Sequence, residues 1–166
     1  MSTVSTFSST ALQSYAAAQQ VPPRWFFGAL VWVKATGEQT GGQLSLVELV
    51  VPPGWASPLH VHHTEDESFY VIEGHLTVVV GDQRLSLGPG GYGFGPREIP
   101  HAFRAEGGQP ARNLLLTTSG DLANFVLEAS EPATAPALPE PPELDMARIA
   151  ALSAKYNSQL LGPFPE

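Results

Sequence analysis

Short apolar runs alternate along the chain with clusters of Gly, Pro and polar residues, and the apolar period is mostly two rather than 3.6. Residues 24–33 form an aromatic-rich run that predicts a buried strand, and residues 44–51 predict a second. Residues 69–72, 75–80, 84–87, 92–94, 101–104 and 112–118 continue the series. Turn signals stand between them: residues 36–42, Pro52-Pro53-Gly54, Gly74, Gly81-Asp82 and residues 88–91. Gly81-Asp82, flanked by two apolar runs, is a hairpin signal. Strands at this spacing predict an all-β antiparallel sandwich or barrel over residues 24–131.

The two ends have a different texture. Residues 1–23 are rich in Ser, Thr, Ala and Gln and read as an N-terminal arm, with a loose segment or short helix over 11–19 that ends at Pro22-Pro23. Residues 132–166 begin with prolines at 132, 136, 139, 141 and 142, which favour an extended linker. A helical period over 145–156 follows, with Asp145 as its expected N-cap. Residues 160–165 are apolar enough to pack on the barrel or on a second subunit.

At 166 residues the chain has one domain's worth of core. Its net charge of −8, from 8 basic and 16 acidic residues, argues against nucleic acid or an anionic membrane as partner. The absence of cysteine excludes disulfides and thiolate metal sites. The first twenty residues lack the basic and apolar regions of a signal peptide, and no apolar run approaches the ~18 residues of a membrane span. A cytoplasmic location is the expectation.

Candidate chemistry is concentrated between Gly54 and Gly74, reading GWASPLHVHHTEDESFYVIEG. His60 and His62 are two residues apart, so on a strand both imidazoles point to one face, while His63 points to the other. Glu67 follows, flanked by Glu65 and Asp66, with Asp66 as the alternative carboxylate. His101 stands after the rigid Pro96–Pro100 turn. Three imidazoles and a carboxylate suit a divalent transition metal and leave coordination positions open for a ligand. Phe69 and Phe103 each share the face of the site residue two positions before them, and with Val71 and Phe94 they are expected to wall an apolar pocket.

The spacing Gly54-x5-His60-x-His62-x4-Glu67-x6-Gly74 resembles the first motif of the cupin superfamily. Gly90-x5-Pro96 and His101 resemble its second, with Glu98 and Ala105 where that pattern has Gly and Asn. A narrower resemblance, through residues 36–40, Glu67-x-Phe69-Tyr70 and the run from Phe94 to Arg104, is to small single-domain cupins of the quercetin 2,3-dioxygenase-like group. The resemblance implies a double-stranded β-helix (jelly-roll) barrel, here with a short C-terminal helix. It implies one divalent ion (Ni, Fe, Co or Mn) on His60, His62, Glu67 and His101, with Glu67 also the catalytic base toward a substrate hydroxyl. In that group O₂ cleaves the central ring of a flavonol with loss of CO. The same framework also serves metal-dependent polyketide cyclases and isomerases that use no O₂, for which Zn suffices, and non-catalytic ligand-binding proteins. The expected partners are a small aromatic substrate and O₂, in a homodimer.

Overall fold

The computed structural model describes residues 21–166; residues 1–20 of the expected arm, with the short helix read over 11–19, lie outside the described residues. Twelve strands and two helices follow in the described chain. They are β1 (Arg24–Phe26), β2 (Ala29–Ala35), β3 (Ser45–Val51), β4 (Leu59–His62), β5 (Glu67–Glu73), β6 (His75–Val80), β7 (Gln83–Leu87), β8 (Tyr92–Gly95), β9 (His101–Glu106), β10 (Ala111–Thr117), α1 (Asp121–Ala129), β11 (Glu131–Pro132), α2 (Met146–Lys155) and β12 (Ser158–Gly162).

The strands form two antiparallel sheets, ordered β11-β1-β2-β3-β10-β5-β8 and β12-β4-β9-β6-β7. This is the two-sheet jelly-roll. Period-two alternation builds its interior: on β5, Glu67, Phe69 and Val71 are buried while Tyr70 is exposed. Val31, Val47, Leu49, Phe69, Val71, Leu76, Val78 and Phe103 fill the space between the sheets. Burying side chains of this size stabilises by about 1.5–3 kcal/mol each. Gly74, which joins β5 to β6, has φ 75°, and a Cβ there would lie 2.7 Å from the Pro110 carbonyl oxygen. Both the left-handed backbone and the lack of room demand glycine.

The structure departs from the sequence reading in three places. The run over 24–33 is a hairpin, β1 and β2, turned at Phe27-Gly28 with φ of 50° and 88°. Positive φ at both central residues suits the right-handed twist of a two-residue hairpin. Helix α1 was not expected, although Leu122, Phe125, Val126 and Ala129 have helical spacing. The apolar end beyond α2 is a strand: β12 pairs with β4, placing Ser158 opposite His62 and Leu160 opposite His60. The Pro-rich stretch lies along β1, where Trp25 Nε1 donates to the Ala137 carbonyl at 2.9 Å. Helix α2 starts as expected, with the Asp145 carboxylate accepting from Arg148 N at 3.0 Å. No helix among the described residues is long and apolar enough to cross a membrane.

Candidate metal centre

Strand pairing brings the candidate ligands to one point. His60 is opposite His101 across the β4–β9 pair, and Glu67 reaches in from β5 on the other sheet. Glu67 Oε2 lies 3.0 Å from His101 Nε2, 3.6 Å from His62 Nε2 and 3.8 Å from His60 Nε2. One potential ligand atom from each of the four residues lies within 4.8 Å of all the others. His101 is fully buried and Glu67 nearly so. Gly95 makes room for the His101 ring, since a Cβ there would stand 3.1 Å from Nδ1.

The hydrogen bonds at the back of the rings settle which nitrogens face the centre. His60 Nδ1 is 2.8 Å from the Pro58 carbonyl oxygen, and His101 Nδ1 is 2.8 Å from that of Ile99. A carbonyl only accepts, so each Nδ1 carries the proton, and in a neutral ring Nε2 then presents a lone pair. Those lone pairs point toward a carboxylate, which also only accepts. Acceptors arranged this way need a cation between them, a proton or a metal ion. His62 adds to the case, because both of its ring nitrogens are buried without a hydrogen-bond partner. The donor set, nitrogen and carboxylate oxygen without sulfur, fits a divalent transition ion.

Electrostatics agree. Burial pushes the Glu67 carboxyl up, but the three imidazoles gathered around it, His101 nearest and then His60 and His62, hold it well below the usual carboxylate range. Burial draws the His60 imidazole down, which favours the neutral form that can ligate. Burial also lowers His62, but the Glu67 carboxylate, helped by Glu65 and Asp121, outweighs it and the net direction is up.

The adjacent acids Glu65 and Asp66 have other work. Asp66 turns away and holds Arg97, with Oδ2 2.9 Å from Nη2. Glu65 is fully buried and accepts from Leu122 N at 2.9 Å and Ser119 Oγ at 2.8 Å. It caps α1 from a distant part of the chain, where the helix's own cap position is Gly120 and offers no side chain. Burial pushes its carboxyl up to about 7. His63 is on the surface facing Glu98 at 3.1 Å.

A pocket of about 890 Å³, its open mouth included, has His60, His62 and Glu67 in its lining. Of the four residues expected to wall it, Phe103 does so. Phe94 does not, being 46% exposed on the outer face. The inward positions of β8 are Gly93 and Gly95, so alternation turns Tyr92 and Phe94 outward. Phe69 and Val71 face inward as expected but are fully buried in the core, with the Phe69 ring packed edge-on behind His101 at 6.0 Å. The walls come instead from Trp55, from Leu122 and Phe125 on α1, and from the C-terminal segment through Met146, Ile149 and Leu160. The helical spacing of 122, 125 and 126 is the signal that could have found α1; the C-terminal helix and apolar end were expected to pack on the barrel or on a second subunit, but nothing local directs them to this pocket.

Residues 47–117 match the family model described as Cupin domain. Quercetin 2,3-dioxygenase of Bacillus subtilis (strain 168) is 33% identical over 103 residues, covering 61% of this chain and 30% of that protein. An uncharacterized protein of Methanocaldococcus jannaschii is 30% identical over 74 residues, 45% of this chain and 59% of that one. The chain thus spans less than two thirds of the length of either relative. Among solved structures, an RmlC-like cupin from Shewanella frigidimarina NCIMB 400 superposes with a TM-score of 0.57 at 20% identity, over 69% of this chain and 96% of that one. The polyketide cyclase RemF from Streptomyces resistomycificus gives 0.54 at 23% identity, over 63% and 79%. At such identities the superpositions speak for the fold alone.

Proposed function

We propose that this protein, whose residues 47–117 match the Cupin domain family model, is a mononuclear-metal dioxygenase of the quercetinase type, opening a flavonol or a related enolisable aromatic ring with O₂. The observation that carries the reading is the three-histidine, one-carboxylate cluster, of which His60, His62 and Glu67 line an apolar pocket. The resemblance to the Bacillus subtilis enzyme supports the choice of reaction.

His60, His62, Glu67 and His101 would hold the ion, which when bound supplies Lewis acidity toward a substrate oxyanion. The chain's own residues do the rest. The Pro58 and Ile99 carbonyls fix the tautomers of His60 and His101, so neither ring must reorganise to present Nε2. Glu67, kept ionised by its neighbours, accepts the substrate hydroxyl proton at Oε2, as a general base does. Trp55, Phe103 and Phe125 line the space where the flat ring would lie, and an apolar wall there keeps water from the anion. O₂ adds to the electron-rich ring of that anion, which supplies the electrons itself.

The test is the rate of flavonol absorbance loss in air and under argon, with protein reconstituted with Ni²⁺, Co²⁺, Mn²⁺ or Fe²⁺. Loss that requires both metal and air is the expected result. A tightly held metal with no oxygen-dependent loss would reject the dioxygenase and move the site to a cyclase or isomerase that uses no O₂.

A further inference from the structure

We propose that residues 144–160, which lie beyond the matched cupin domain, are the substrate-selecting wall of the metal pocket, admitting an uncharged, largely apolar ring compound and turning away small dianions. The inference rests on the reading of the pocket as a substrate site, and it names what that site takes.

Leu144, Met146, Ile149 and Leu160 all line the pocket, together with Trp55 and Phe103. Their position relative to the ligand cluster is fixed by backbone pairing, since β12 lies beside β4 with Leu160 opposite His60. Side chains tie the remainder: Asn157 Nδ2 donates to Asp121 Oδ2 at 2.9 Å, and Lys155 Nζ reaches Glu128 Oε1 at 2.8 Å. At the rim Leu144 is 45% and Met146 50% exposed, apolar surface that a bound ring would cover.

Charge gives the second half of the argument. Among the described residues lining the pocket there is no Lys or Arg, while Glu67 and Asp121 are both acidic. A dication on three neutral imidazoles and one carboxylate leaves a net charge of about +1, which one substrate oxyanion balances. A second negative group, as in oxalate or a phosphate ester, would lie unpaired among apolar walls, which is unfavourable. A neutral ring compound that loses one proton at the metal end meets both conditions.

Isothermal titration calorimetry on the metal-loaded protein tests this with flavone, a ring compound without the reactive hydroxyl, and with oxalate. Flavone is expected to bind at least about tenfold more tightly than oxalate. Met146→Lys should weaken flavone at least about tenfold with metal content unchanged, and Leu144→Lys does the same if the first variant fails to fold. Leu161→Lys makes the same change at a 44% exposed position on β12 that does not line the pocket, and should leave the affinity within about twofold. Wild-type flavone binding in both wall variants, or oxalate binding as tightly as flavone, would overturn the proposal. Flavone cannot turn over, so the outcome is separate from the dioxygenase reading: binding without flavonol turnover keeps the wall and rejects the reaction.

Discussion

The back and the front of the pocket are built by different means. At the back, His62, Glu67 and His101 project from β4, β5 and β9, and none is more than 5% exposed. Two of the three histidines have their rings pinned by carbonyls within two residues of themselves. At the front, α1, α2 and β12 are joined to one another by exposed side-chain ties such as Lys155–Glu128 and Asn157–Asp121. A ligand cluster must hold its geometry to a fraction of an ångström, and strand ladders do that. A wall that selects by size and polarity needs only shape, and half-exposed side chains on a helix provide it. The same contrast appears within three consecutive acids. Glu67 belongs to the cluster, Glu65 caps α1 at the front, and Asp66 holds Arg97 on the surface.

The comparison can be broken most sharply at the back. His101→Ala should lower metal content and cut flavonol turnover by more than about 100-fold, since even the outer partners of a ligand are commonly worth 10–100-fold. Glu67→Gln separates holding from catalysis: metal analysis should find the ion at least partly retained while kcat falls by about 10²–10⁴. Unchanged turnover would remove Glu67 from the role of base.

Stability sharpens the contrast further. Phe69→Ala empties space directly behind His101 and should cost about 3–5 kcal/mol in urea unfolding. Glu65→Ala leaves the Leu122 N–H without its acceptor and should cost about 1–2 kcal/mol, with hydrogen exchange faster in the first turn of α1 than in β5. Equal acceleration in both would show that front and back unfold as one. The smallest effect is at the surface. Hydrogen bonds from Arg97 hold the Asp66 carboxyl at about 2, against an ordinary value of 3.8. A depressed folded-state value means that its stabilisation is present above pH 3.8 and is lost as pH falls through about 2. Asp66→Asn should flatten that part of the acid-unfolding profile and leave neutral-pH turnover unchanged.

Much of the back was legible in the chain because its signals are local. Period-two alternation gave β5 through β10 to within a few residues, and His60 and His62 share a face because strand geometry requires it. The turn at Gly74 was marked by the one residue its backbone tolerates. Phe94 was expected on the pocket side without regard to alternation, which makes Gly93 and Gly95 the inward positions of β8, as closeness to Phe69 and His101 requires. Glu65 was given no role of its own beside Glu67, because nothing near it in sequence reveals that the uncapped end of α1 lies against it.

The sequence by itself therefore determined the all-β class, the turns and the residues able to meet at a metal. Each of these depends on neighbours within a few positions. Only the tertiary structure decided which side chains wall the pocket. That choice depends on β12 pairing with β4 across roughly a hundred residues, and on α1 finding its cap in Glu65. Such contacts are made between surfaces already formed, so they leave no periodic trace in the chain that carries them.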